Sequence, residues 1–313
     1  MFLLRTCRGL PLAWVSLASA WLLFAAGGPA PRQTPVAERG DEARAGRALP
    51  CEPIALEATL LDGAQVVLLG DFHGTAEIPA FFSDVACTAL RRVPALIVAL
   101  EIPADEQERV DRYLGSSGSD ADRAALLEGG FWRDAYQDGR RSAAMAALIE
   151  RLRTLRQEGP ALPGPHRLEV LLLDSPAVSS AGERDRRMAA AILGALRPGA
   201  PGAAAPLVLA LAGNLHTRTV QGSPWDASHV PMGCHLARSL PEGSVRSLDV
   251  AHLGGTAWFC TGADPASCGE KPLKGVGEVP HATIRLFPRP DERGFNGVYF
   301  VGRLSASPPA RRP

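Results

Sequence analysis

The chain has 313 residues, 46% of them hydrophobic, and its 33 basic residues are balanced by 33 acidic ones. Zero net charge argues against nucleic acid or an acidic membrane as partner and leaves a small-molecule or peptide ligand as the expectation. Only Lys271 and Lys274 are lysines, which is a coding bias before it is a functional signal.

Arg5 and Arg8 precede an uncharged, mostly apolar stretch from Leu10 to Ala26, and the small residues AAGGPA follow. This is the layout of a signal peptide over residues 1–30, with export to the periplasm or the extracellular space. A membrane contact is expected only if the segment stays uncleaved. Residues 31–50, rich in Pro, Arg, Ala and Glu, read as a flexible linker. Residues 51–313 read as a single α/β domain. Losing Arg5 and Arg8 would leave 33 − 2 = 31 basic residues against 33 acidic. Of the five later cysteines, Cys260 and Cys268 flank a short turn-rich segment and form the best candidate disulfide. Cys51 with Cys87 is a weaker pair, and Cys234 is the expected free thiol.

Short apolar runs then alternate with helical patterns, which predicts a mixed, largely parallel central sheet flanked by helices. Val66–Leu69 is the first run, followed by a helix over 77–92. Ala95–Leu100 is the second, and a helix starting at Pro103 ends at Gly115. A short helix over 119–128 follows, capped by Ser119 or Asp120. Met145, Leu148, Ile149, Leu152 and Leu155 share one face of a strong amphipathic helix. Leu168–Leu173 is the third run, with a helix over 182–196 after it, and Leu207–Leu211 is the fourth. Met232–Leu240 reads as a helix, while VRSLDVAH, ATIRLF and GVYFVG read as strands in an irregular C-terminal β-rich part. Residues 254–280 read as a surface excursion stapled by the cysteine pair.

Each of the four apolar runs ends in a polar or ionisable group: Asp71 and His73, Glu101, Asp174, then Asn214 and His216. In a parallel sheet these ends lie side by side, and ligands bind in the crevice outside them. The candidate catalytic residues are therefore Asp71, His73, Glu101, Asp174 and His216. Asn214 and an arginine from each of the groups 140–141 and 184–187 are the candidates for binding substrate, with Arg141 and Arg187 favoured. Trp132 reads as core and Tyr136 as a rim residue.

The stretches LLGDFHG, VALEIPADEQERVDRYL, FWRDAYQDGRRSAAMAALIERLR, LLLDS, ERDRRMAAAI and LALAGNLHTR resemble a superfamily. It joins erythromycin esterases, ChaN-type haem-binding proteins and Tiki/TraB proteins. The resemblance spans roughly residues 60 to 250 and implies a helix-wrapped mixed sheet with its pocket at the strand ends. The esterase branch implies catalytic roles for Asp71, His73, Glu101 and His216, although esterases usually carry Glu where Asp71 stands. The ChaN branch implies haem held by a tyrosine, for which the chain offers Tyr113, Tyr136 and Tyr299. The Tiki branch implies a divalent metal and a GxxH signature, met by Gly70 to His73.

Two hydrolytic schemes follow for an ester or amide bond. In one, a histidine activates water, oriented by a carboxylate. In the other, Asp71, His73, Glu101 and His216 hold Zn, Mn or Fe. No G-x-S-x-G motif is present, which argues against a serine nucleophile. A ligand-binding protein of the ChaN type, without turnover, is the alternative.

Overall fold

The computed structural model describes residue 54 and residues 58–158, 166–175, 180–197, 205–276 and 283–311. The expected signal peptide, linker and Cys51 lie outside these residues.

The first elements are α1 (Ala58–Leu61), β1 (Val66–Asp71), α2 (Glu77–Leu90) and β2 (Ala95–Pro103). Helices α3 (Gln107–Leu114), α4 (Asp120–Leu127), α5 (Gly130–Arg133) and α6 (Ala143–Glu158) follow. Then come β3 (Arg167–Asp174), α7 (Ala181–Ala195), β4 (Leu207–Gly213) and α8 (Met232–Ser239). The chain continues through β5 (Val245–Cys260), β6 (Cys268–Val276), β7 (Ile284–Leu286) and β8 (Gly297–Phe300).

These strands form one sheet in the order β3-β2-β4-β1-β5-β8-β7, with β6 paired to β5 off this path. All neighbours pair parallel except β7 with β8 and β6 with β5. The period of two along β1 decides the layering. Val67 and Leu69 join the core with Phe82 of α2, Val110 of α3 and Leu152 of α6. Val66 and Leu68 face Met188 and Ile192 of α7 and Met232 and Leu236 of α8. With apolar helices on both faces, β1, β2 and β4 have no solvated side, which is why they read as continuous apolar runs.

Three local expectations change. Pro103 does not start a helix: β2 runs through it with a register shift after Leu100, and a 3₁₀ turn over Ala104–Glu106 precedes α3. The supposed surface excursion is mostly an antiparallel hairpin. Strand β5 runs for 16 residues, and β6 returns along its outer half from Cys268. The Cys260–Cys268 disulfide closes its tip, as expected. Cys87 and Cys234 are also disulfide-bonded, so Cys234 is not the free thiol expected of it.

The edge strand β3 has a capped backbone. The Gln107 amide donates to Val170 O at 3.0 Å, and its oxygen accepts from Leu172 N at 2.9 Å. One side chain thus pairs two backbone groups of an otherwise open edge. Among the described residues no helix is long and apolar enough to cross a membrane.

Candidate functional site

The parallel registers bring the strand ends level. Asp71 pairs with Gly213 across β1 and β4, Leu100 with Leu211 across β2 and β4, and Pro103 with Asp174 across β2 and β3. Asp71, Glu101 and Asp174 therefore arrive together, all buried, with His73 and His216 on the loops just beyond.

Glu101 stands at the centre. Its Oε2 accepts from Gly213 N at 2.7 Å and faces His73 Nε2 at 3.6 Å. Its Oε1 accepts from Arg184 Nη2 at 2.6 Å, with Arg140 Nη1 3.6 Å and His216 Nε2 3.9 Å away. Asp174 accepts from Arg184 through both oxygens, at 2.6 and 2.9 Å, and from Arg140 Nη1 at 2.8 Å. Asp138 holds the other side of Arg140 through Nε and Nη2. Two guanidiniums are thus threaded between three carboxylates. Such a network is stable when buried because nearly every charge has an opposite partner and hydrogen bonds.

The two histidines sit in opposite electrostatic settings. His73 Nδ1 donates to Asp71 Oδ2 at 2.7 Å. Burial opposes its charged form, but Glu101 and Asp71 outweigh burial and raise its pKa to about 10. His73 is therefore an imidazolium at neutral pH, donating from Nδ1 to Asp71 with its Nε2–H facing Glu101. His216 Nε2 lies 2.9 Å from Arg184 Nη1, and its Nδ1 lies 2.8 Å from Asp185 Oδ1. An arginine can only donate, so Nε2 accepts and Nδ1 carries the proton towards Asp185. This is the neutral tautomer with its lone pair on the strand-end side.

Burial would raise the carboxyl of Glu101, but His73, then His216 and Arg184, hold it well below the usual carboxylate range. Asp174 is lowered against its burial by Arg184 and Arg140. Gly213 leaves room at the meeting point. A Cβ there would stand 3.2 Å from His73 Nε2, 3.4 Å from Glu101 Oε2 and 3.5 Å from His216 Cδ2.

The favoured arginines are in the wrong places, and their neighbours occupy the site. Arg141 is buried against the Phe131 ring and donates to Phe131 O, Tyr136 O, Asp138 and Asp134. It braces the loop that carries Arg140. Arg187 lies half exposed on α7 and pairs with Glu183. Asn214 sits against Gly70, where a Cβ would come within 2.9 Å of its own, and its backbone N–H donates to Asp71 O. Trp132 is buried, and Tyr136 donates to Gly262 O at 3.0 Å.

Asp185 and His229 were missed. Asp185, without exposed surface, accepts from His216 and from Met232 N at 2.6 Å; His229 Nε2 lies 3.3 Å from its other oxygen. A signal for Asp185 does exist. It shares the spacing of Met188, Ala189 and Ile192, the buried stripe of α7, and an acid on an apolar stripe needs a partner. His229 gives no such signal, because it lies in a polar loop.

The metal expectation does not fit this geometry. His73 spends Nδ1 on Asp71, and His216 turns to Asp185 and Arg184. Arg184 bridges Glu101 and His216, where a cation would have to sit. Among the described residues no cluster of three or more His, Cys, Asp or Glu could hold a metal ion. Haem does not fit either, because all three tyrosine hydroxyls are committed. Tyr113 donates to Glu150 at 2.6 Å, Tyr136 to Gly262 O, and Tyr299 to Gly70 O at 2.6 Å. Burial, then Glu150, pushes Tyr113 up to about 12, and burial holds Tyr299 well above the ordinary value.

Known structures share this architecture. A mutant of the erythromycin esterase EreC in its open conformation matches 81% of this chain and 94% of its own, with TM-score 0.58 at 13% identity. This chain shares its fold with that esterase. A succinoglycan biosynthesis protein matches 79% of this chain and 90% of its own, with TM-score 0.51 at 11% identity. A Bacillus cereus protein matches 82% and 92%, with TM-score 0.50 at 10% identity. At such identities the likeness is one of fold, and to that extent the resemblance carried by the sequence motifs holds. No family model and no curated protein matches the sequence.

Proposed function

We propose that the protein is a metal-independent hydrolase of an ester or amide bond, with His216 as general base and His73 as general acid. The observation that carries this reading is the contrast between the two imidazoles: His73 is kept charged by Asp71 and Glu101, while His216 offers Nε2 as an acceptor towards Arg184 with Nδ1 on Asp185. A charged donor and an acceptor nitrogen at the same strand ends supply the acid and the base such a reaction needs.

In the reaction, the carbonyl oxygen of the substrate accepts from Arg184 Nη1 in place of His216 Nε2, which takes up a water instead. His216 removes a proton from that water, and the oxygen attacks the scissile carbon. Arg184 and Arg140, held rigid by Asp174 and Asp138, stabilise the oxyanion. As the carbon–heteroatom bond breaks, His73 Nε2 gives its proton to the leaving oxygen or nitrogen. One water is consumed, and the proton gained by His216 returns to His73 through solvent.

Export to an oxidising compartment belongs to the same reading, supported by disulfides at Cys260–Cys268, Cys87 and Cys234. The test is a panel of chromogenic esters and anilides with metal-free, chelator-treated protein. Hydrolysis is expected, and His73→Ala and His216→Ala should each lower kcat about a hundredfold or more. Full activity in both variants would refute the assignment, and loss on chelation with recovery on adding metal would refute metal independence.

A further inference from the structure

Asp185 has two oxygens with unequal support. Oδ1 accepts from His216 Nδ1 at 2.8 Å and from the backbone N–H of Met232, the first residue of α8, at 2.6 Å. The N-cap residue of that helix, Pro231, makes no side-chain cap, so Asp185 supplies one across the fold. Oδ2 is buried and accepts no hydrogen bond. His229 Nε2 stands 3.3 Å from it, on a side chain only 13% exposed.

The loop bearing His229 is bonded to itself. Gly222 N–H donates to His229 O at 2.7 Å, Ser223 N–H to Asp226 O at 2.8 Å, and Ser228 N–H to Asp226 Oδ1 at 2.8 Å. It presents Trp225 to solvent, 76% exposed, and turns His229 inward. A preformed loop can therefore place one imidazole against a buried carboxylate at little entropic cost. A buried oxygen without a donor otherwise rotates, admits water or takes up a proton. Each of these outcomes would loosen the hold on His216.

Resting on the hydrolytic reading, we propose that His229 is a positioning residue for His216. From its 3.3 Å approach, a small turn of the ring brings Nε2–H onto the second oxygen of Asp185, so that His216, Asp185 and His229 form a chain with the carboxylate fixed from both sides. His229 touches no reacting atom. It acts through Asp185 on the ring orientation and tautomer of His216.

The test uses the full chain labelled with ¹⁵N-histidine and reads the Hδ1 proton of His216, assigned by its loss in His216→Ala. In the native protein this proton should resonate far downfield and exchange slowly. In His229→Ala it should exchange about tenfold faster or more, because Asp185 gains freedom. In His229→Gln, whose amide can donate to Oδ2, slow exchange should return. Trp225→Ala, altered in the same loop but away from Asp185, should behave as wild type. Unchanged exchange in His229→Ala would overturn the proposal, as would equal loss in His229→Ala and His229→Gln with the fold intact by circular dichroism. The readout needs no substrate. A hydrolytic reading that failed in the ester panel would therefore leave this result standing, and the converse also holds.

Discussion

Gly213 occupies the point of the site where an added methyl group would touch both imidazoles and the central carboxylate at once. Gly213→Ala should therefore fold with a modest penalty, about 1–2 kcal/mol, yet lose hydrolysis at least about tenfold by displacing His73 or His216. A denaturant midpoint beside a kinetic assay separates the two effects. The charge on His73 makes a second prediction. Its pKa in the folded protein is raised from 6.5 to about 10, so its stabilising contribution is complete below pH 6.5 and is lost as pH rises through about 10. Urea midpoints of the native protein should fall across that window. Glu101→Gln removes the first of the charges responsible and should flatten the slope, and an equally steep slope in the variant would contradict the assignment. At this scale the sequence was legible where a side chain ends an apolar run, as at Asp71, Glu101, Asp174 and His216. It was illegible where one arginine of an adjacent group had to be chosen. Arg140 and Arg184, rather than Arg141 and Arg187, enter the site because of the local turn and the helix phase, which residue type does not encode.

The elements repeat this division between pattern and context. Strands β1, β2 and β4 were readable because helices cover both faces and leave them uniformly apolar, and β3 because its buried half is the run VLLL. Strand β6, CGEKPLKGV, escaped because it is only partly covered or exposed along its length and so carries no apolar period. Yet the hairpin it completes bears on the site. Trp258 N–H donates to Gly74 O at 2.8 Å, and its indole donates to Gln137 O at 3.0 Å. A Cβ on Gly74, which has φ +78°, would fall 1.9 Å from Trp258 O. The hairpin therefore packs on both the loop that carries His73 and the loop that carries Arg140. Opening the disulfide at its tip with Cys260→Ser and Cys268→Ser should cost about 2–3 kcal/mol, the loop-closure entropy of so short a ring. Thermal melts would read that loss. Amide exchange should rise first at Trp258 and Gly74, and protection unchanged there would separate the hairpin from the site.

Across the whole molecule, the two loops that deliver opposite sides of the site are joined by a third segment far from both in sequence. Residues 303–311 cross the strand-end edge of the sheet after β8. Ser307 N–H donates to Gly74 O at 2.8 Å, and Ala76 N–H donates to Ser305 O at 3.0 Å. Ser305 also binds the Glu77 carboxylate through its backbone and its hydroxyl, which gives that acid a structural role beside the helix start it occupies. Further along, Ala143 N–H donates to Pro308 O at 2.8 Å, and Ala310 N–H donates to Arg141 O at 2.8 Å. The tail is thus hydrogen-bonded on one side to the loop of His73 and on the other to the loop of Arg140. It buries little apolar surface apart from Leu304, so its contribution to global stability is small beside that of the two core layers. Its contribution to geometry is large, because catalytic groups displaced by about 1 Å lose rate steeply. Removing residues 303–313 should therefore leave far-UV circular dichroism close to native and lower hydrolysis by about tenfold or more. Amide exchange should rise at residues 74–77 and 141–144 while β1 to β4 stay protected. A truncated protein with native activity and native protection in both loops would show that the two halves of the site are held together without the tail.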